Sequence, residues 1–203
     1  MEQLTSLQVK LVKRARLLVL AGMGYNTIEG VVAIASGVAA GSVALVGFGL
    51  DSYIEVFAAG VVSWRLSKAS RGQAASEAAE KRALFLIGIT FFALAIYIVA
   101  HSTLTIAAAH EPEESLVGIG VAIASLIVMP GLSFVKLRLA AKLHDKSLRA
   151  EAMETLICSY LSVALLLGLG LNAAFGWWWA DPIVALAMVP WLMKEGWEGI
   201  SED

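Results

Sequence analysis

Five side chains that can bind cations or protons lie within long apolar stretches of this sequence. Asp51 and Glu55 stand four residues apart in one stretch, and Glu154 and Cys158 stand four apart in another. Residues four apart share one face of a helix, so each pair can point towards a common neighbour. The two pairs together offer three carboxylates and a thiolate. These are four ligands, the number that a tetrahedral zinc site takes. The fifth side chain, Glu29, lies in an earlier apolar stretch.

The charge on these groups needs compensation if the stretches cross a bilayer. Each ionised acid near mid-bilayer costs about 2–3 kcal/mol on insertion scales, so four acids approach roughly 10 kcal/mol. The sequence places no Lys or Arg beside them, because the basic residues fall between the apolar stretches. We therefore expect protons or a bound metal cation on the acids, and a transporter can exchange one for the other.

The ligand types favour a soft ion. Calcium takes about six to eight oxygen ligands and magnesium keeps several waters, whereas a thiolate such as that of Cys158 selects zinc and similar ions. Cys158 can equally be a small apolar packing residue, the usual role of a buried free cysteine. Glu29 is either a further ligand or a protonated acid that is hydrogen-bonded between helices to Asn26 or Tyr25. The sequence leaves both alternatives open.

The elements that must position these residues are membrane-spanning helices. The chain has 203 residues, of which 59% are hydrophobic, against about 45–50% in soluble domains. We predict an all-α integral membrane protein, with a segment at 1–16, a six-helix transport domain at 17–197, and a tail at 198–203 with no soluble C-terminal domain. Apolar runs of the length that crosses a bilayer place the six spans near 17–40, 43–64, 83–109, 116–135, 150–174 and 181–193.

The distribution of positive charge predicts the orientation. All 15 Lys and Arg residues fall at 10–16, in the connections 65–82 and 136–149, and at Lys194. These are alternate connections, so the positive-inside rule places both termini in the cytoplasm. The opposite side carries an acidic loop at 111–114, which we interpret as solvated, and a tryptophan run at 177–179 that is typical of an interfacial aromatic belt. A net charge of −2 argues against a nucleic-acid partner.

Three further polar residues have structural interpretations. Asp181 precedes Pro182, a pattern that starts a helix, so we expect Asp181 to cap the sixth helix. We expect His101 to be an interfacial or packing residue, and His144 to be solvated within a basic loop.

Three segments resemble the cation diffusion facilitators, six-span transporters that typically export zinc and related ions in exchange for protons. The stretch from Asn26 through Gly41-Ser42-Val43-Ala44-Leu45 to Asp51-Ser52-Tyr53-Ile54-Glu55 is similar to the first two helices of that family. Leu148 to Glu154, followed by Cys158 and Ser159, resembles the fifth helix, and Trp179 to Ala185 resembles the opening of the sixth. The family usually carries His and Asp where this chain has Glu154 and Cys158.

The resemblance implies a homodimeric exporter in the cell (inner or plasma) membrane, not an enzyme and without a prosthetic group. Its substrate would be Zn²⁺ or Cd²⁺, exchanged for protons by alternating access, with helices two and five rocking relative to the rest. The metal ligands would be Asp51, Glu55, Glu154 and Cys158, with Glu29 and Asn26 as additional or supporting residues. Most relatives have a cytoplasmic dimerising domain, so we expect dimerisation here to rest on membrane helices.

Two other functions fit the same topology. A proton-coupled transporter of small organic cations would use the membrane acids but would not need Cys158. A non-transporting membrane scaffold would keep the acids for structural reasons and would bind no metal.

Overall fold

The described residues of the chain form six helices. The structure, a computed structural model, describes residues 6–70, 77–108 and 113–201. Within these ranges the helices are α1 (Ser6–Ala40), α2 (Val43–Ser70), α3 (Glu77–Ala107), α4 (Leu116–Leu143), α5 (Lys146–Phe175) and α6 (Ala180–Ser201). No described residue belongs to a strand. The prediction of an all-helical fold is confirmed.

Among the described residues, four helices are long and apolar enough to cross a membrane. The spans are Gln8–Ala40, Val43–Lys68, Leu116–Leu143 and Ser147–Phe175, and α3 adds a shorter apolar segment, Phe91–Ala107. Helix α6 carries Asp181 near one end and Lys194 and Glu195 near the other, so its uncharged stretch is shorter than a full span.

Two connections that the sequence predicted as long are largely parts of helices where the structure describes them. The predicted connection 65–82 is mostly helical, because α2 continues to Ser70 and α3 begins at Glu77. The predicted connection 136–149 shrinks to two residues. His144 ends α4 in the left-handed conformation at φ 51°, and Asp145 caps α5 by accepting a hydrogen bond of 2.9 Å from the Leu148 N–H. The basic residues of this stretch are therefore helical.

The connections gather at two opposite ends of the bundle. At one, which we call the Ser42 end, the Glu113 N–H donates to the Ala40 carbonyl at 2.8 Å, and Trp177 stacks on Trp179 with ring centroids 5.2 Å apart. At the other, the Arg65 end, Arg65 of α2 lies 3.9 Å from the Asp145 carboxylate. The chain thus crosses the bundle in alternating directions.

Helix α2 contacts α1, α3, α5 and α6 and is the central element of the bundle. It lies closest to α1, where glycines allow the two backbones to approach. A Cβ atom on Gly37 of α1 would lie 2.8 Å from the Val46 nitrogen, and one on Gly49 of α2 would lie 2.9 Å from the Ile34 nitrogen. Any larger residue at these positions would force the helices apart, so this contact fixes the register of α1 against α2.

Candidate metal centre

Asp51, Glu55 and Cys158 meet inside the bundle. One ligand atom from each lies within 4.8 Å of the ligand atoms of the other two, and all three residues are buried. Helix α2 brings the two carboxylates together because they are one turn apart, and α5 packs against α2 to bring the thiol. Three of the four ligands predicted from the sequence are thus adjacent.

Asp51 is buried without hydrogen bonds to its carboxylate. Both of its oxygens are inaccessible and have no hydrogen-bond partner among the residues that the structure describes. Buried polar groups are nearly always hydrogen-bonded, and one that is not calls for an explanation, such as an ion. The donor set of two carboxylates and one sulfur has the chemistry that zinc accepts, so these residues fit a metal cation.

Glu55 is held by α1. The side-chain amide of Asn26 donates a hydrogen bond of 2.6 Å to Oε2 of Glu55, and Asn26 is itself buried. This bond orients the carboxylate from the side of α1. Asn26 is therefore placed to support Glu55, and its part in metal binding stays a prediction.

Glu154 lies close to the three residues but not among them. It lines a narrow internal gap together with Asp51 and Glu55, and the gap is closed by apolar side chains of which Phe91 and Trp191 are the largest. Glu154 is half-buried. That Glu154 is the fourth metal ligand stays a prediction.

Glu29 faces the cluster from α1. The Ser52 hydroxyl donates to Oε2 of Glu29 at 3.1 Å, while Oε1 has no hydrogen-bond partner within the described ranges. Tyr25 and Ser125 lie near the same carboxyl group. Of the two hydrogen-bond partners considered for Glu29, Asn26 donates to Glu55 instead.

The expectation that no basic side chain lies within the bundle is wrong. Lys136 of α4 is buried, and its ammonium forms an ion pair with Glu151 of α5 and donates to the Thr155 hydroxyl at 3.2 Å. The sequence assigned Lys136 to a connection, but α4 continues past it for two turns. A lysine is tolerated there because a carboxylate from the facing helix offsets its charge.

Asp181 has a structural role, as predicted, but at a different helix. It is the second residue of α6, and its Oδ2 accepts hydrogen bonds from the Val43 and Ala44 N–H groups at 2.9 and 3.3 Å. The Ser42 hydroxyl donates to the other oxygen. Asp181 therefore caps the start of α2 and not that of α6.

The histidines lie away from the cluster where the structure describes them. His101 is exposed on α3, with its ring 5.5 Å from that of Tyr97, and His144 is exposed in the turn after α4. The acidic loop predicted at 111–114 begins at two residues outside the described ranges, and Glu113 and Glu114 are exposed.

Comparison with known proteins agrees with this architecture. Residues 19–203 match the cation efflux transmembrane domain. The chain belongs to the cation efflux family. This membership confirms the resemblance to the cation diffusion facilitators and the prediction of a multi-pass, all-helical membrane protein.

This chain is also similar to an uncharacterized transporter of Synechocystis. The two are 26% identical over 153 residues, which cover 73% of this chain and 49% of the Synechocystis protein. This cation efflux chain thus spans about half the length of the curated relative that it matches.

Proposed function

We propose that this cation efflux protein exports divalent transition-metal ions, with zinc as the best-fitting substrate and cadmium as a second. The observation that carries the proposal is the buried carboxylate of Asp51, which has no hydrogen-bond partner in the described residues and lies within 4.8 Å of ligand atoms on Glu55 and Cys158. A divalent cation there would bind all three residues.

The donor atoms support zinc over hard ions. Asp51 and Glu55 supply oxygens and Cys158 supplies sulfur, a mixture that suits a tetrahedral ion with borderline-soft character. Glu154 would complete the four ligands from the far side of the gap. The gap is too narrow to hold a water molecule, which favours a bare metal ion over an organic cation.

The charge at the site supports an exchange of metal for protons. With the metal gone, ionised acids packed this closely inside a membrane would be strongly disfavoured. We propose that protons replace the metal on the carboxyls, and that metal binding releases them because ligands must be deprotonated to coordinate. An inward proton gradient would then drive metal export.

Transport further requires that the site open to each side of the membrane in turn. We propose that α2 and α5 rock relative to the rest, because each supplies ligands to the same ion. We also propose that both termini face the cytoplasm of the cell membrane and that the protein works as a homodimer.

The test is zinc binding and zinc flux with the full chain. Asp51→Asn and Glu55→Gln should each remove most Zn²⁺ binding in calorimetry and most Zn²⁺ flux into proteoliposomes, because each removes one anionic ligand. Glu113→Gln, at an exposed acid of the Ser42 end, is the matched control and should bind and transport as the wild type does. Wild-type binding and flux in both site variants would place the site elsewhere, and a wild-type protein that binds no divalent ion would favour a scaffold.

A further inference from the structure

Lys136 is enclosed by three helices. Its ammonium pairs with Glu151 and donates to Thr155, both on α5, and its side chain is 2% exposed. On the third side lies α1, where a Cβ atom added to Gly22 would come within 3.2 Å of the Lys136 nitrogen. The ammonium therefore has a fixed location between α1, α4 and α5.

The ion pair lies one helical turn from Glu154, which lines the gap beside the candidate metal centre. Glu151 precedes Glu154 by three residues on α5, a spacing that makes their side chains neighbours, and the two carboxyl groups repel each other. Lys136 in turn attracts both Glu154 and Glu55. The buried Oε2 of Glu151 has no hydrogen-bond partner in the part of the chain that is described. An additional acid and an additional base thus lie within electrostatic reach of the metal ligands.

We propose that the Lys136–Glu151 pair determines ion selectivity, because each partner keeps the charge of the other away from the metal centre. This inference rests on the proposed function. With Lys136 in place, the Glu151 carboxylate is retained and does not add an oxygen ligand beside Glu154. With Glu151 in place, the ammonium is neutralised and does not compete with the metal for the site carboxylates.

Removal of the base should alter which ion is preferred. In Lys136→Met, which keeps an unbranched apolar side chain, Glu151 is released and adds an oxygen donor. Oxygen donors favour Mn²⁺ over softer ions, so we expect the Mn²⁺-to-Zn²⁺ affinity ratio to rise about tenfold, at the lower end of what outer-shell changes produce. The double variant K136M/E151Q removes the released acid and should restore the wild-type ratio. Lys142→Met, at an exposed lysine of the same helix, is the control and should leave the ratio unchanged.

Removal of the acid should instead weaken the binding of every ion. In Glu151→Gln the amide oxygen still accepts from Lys136, so the contact persists without the countercharge. We expect the affinities for Zn²⁺, Cd²⁺ and Mn²⁺ to fall together by about tenfold, with their ratios unchanged. This arm is independent of whether Lys136→Met folds.

The measurement is calorimetric titration of the purified full chain with each of the three ions. An unchanged Mn²⁺-to-Zn²⁺ affinity ratio in folded Lys136→Met would overturn the inference, and so would unchanged affinities in Glu151→Gln. In either case zinc binding by the wild type would still support the proposed function. A wild-type protein that binds none of the three ions would overturn both.

Discussion

Asn26 of α1 donates a hydrogen bond to Glu55 of α2 across 2.6 Å in the buried centre of the bundle. The bond joins the two helices at the level of the candidate metal centre. A metal-binding carboxylate is commonly oriented by such a partner, whose loss typically weakens metal affinity.

Replacement of Asn26 by Ala should therefore weaken Zn²⁺ binding by about tenfold to a hundredfold. Glu55 would remain but would lose its orientation. Thr27→Ala is the control, because Thr27 is exposed and its hydroxyl donates to the Met23 carbonyl of its own helix. Calorimetry on both variants checks the expectation, and equal zinc affinities in the two would contradict a supporting role for Asn26.

Cys158 distinguishes the metal site from a packing role. Cys158→Ala keeps a small apolar side chain but removes the sulfur, so a metal centre should lose at least about tenfold in Cd²⁺ affinity, since thiolate ligands favour soft ions. Binding isotherms for Cd²⁺ and Mn²⁺ would show whether the loss is greater for the softer ion. Ser159→Ala is the control on the same helix, where the hydroxyl donates to the Thr155 carbonyl. Unchanged affinity for both ions in Cys158→Ala would mean that Cys158 only fills space.

Metal binding should release protons and should weaken as the pH falls. The carboxyl and thiol groups must lose protons to coordinate, so protons compete with the metal. Titration with Zn²⁺ in weak buffer with a pH-sensitive dye measures the release, and flux into vesicles with and without an imposed pH gradient measures the coupling. Zinc that binds without proton release, with flux that ignores the gradient, would leave passive conduction as the better account.

The cap that Asp181 places on α2 should contribute to stability. Asp181→Ala removes the acceptor of three hydrogen bonds and leaves buried N–H groups unpaired, which should lower the free energy of unfolding by about 2 kcal/mol. Asp145→Ala, which removes the cap of α5 at a partly exposed position, should cost about 1 kcal/mol. Thermal unfolding in detergent, followed by intrinsic fluorescence, checks the order. A larger loss in Asp145→Ala would contradict the role assigned to Asp181.

The proposed dimer should form through exposed small residues of a membrane helix. On α4, Gly120, Ala124 and Gly131 are exposed along one side. A Cβ atom on either glycine would meet no atom of another described helix within 4 Å. Small residues let membrane helices pack closely. Gly131→Leu should therefore lower the dimeric fraction counted by single-molecule photobleaching, whereas Ala100→Leu, at an exposed position of α3, should not. A wild-type protein that is monomeric in native membranes would contradict the dimer.

The sequence predicted which residues share a helix face better than it predicted which residues of different helices meet. Asp51 and Glu55 could be placed together because one helical turn separates them, and that relation depends on local geometry alone. Lys136 was misplaced because a positive charge usually marks the end of a membrane span. Its partner Glu151 becomes evident only when α4 and α5 are packed together.

The capping bond of Asp181 was unpredictable for a similar reason. A local motif of Asp before Pro predicts a cap on the helix that follows, and α6 does begin there. The side chain, however, binds the start of α2, which lies 138 residues away in sequence. Local patterns do not contain such contacts, because they depend on which helix ends meet.

The glycine contact between α1 and α2 restricts how this bundle can move. Gly37 and Gly49 place the backbones of α1 and α2 against each other. If one helix slid along the other, larger side chains would enter a contact that has room only for the hydrogen atoms of glycine. The two helices must then travel as a single rigid body that carries Asn26, Glu29 and both carboxylates of α2. The proposed rocking of α2 and α5 would therefore carry α1 with it, so Asn26 and Glu29 would stay beside the ligands while the site opens to either side of the membrane.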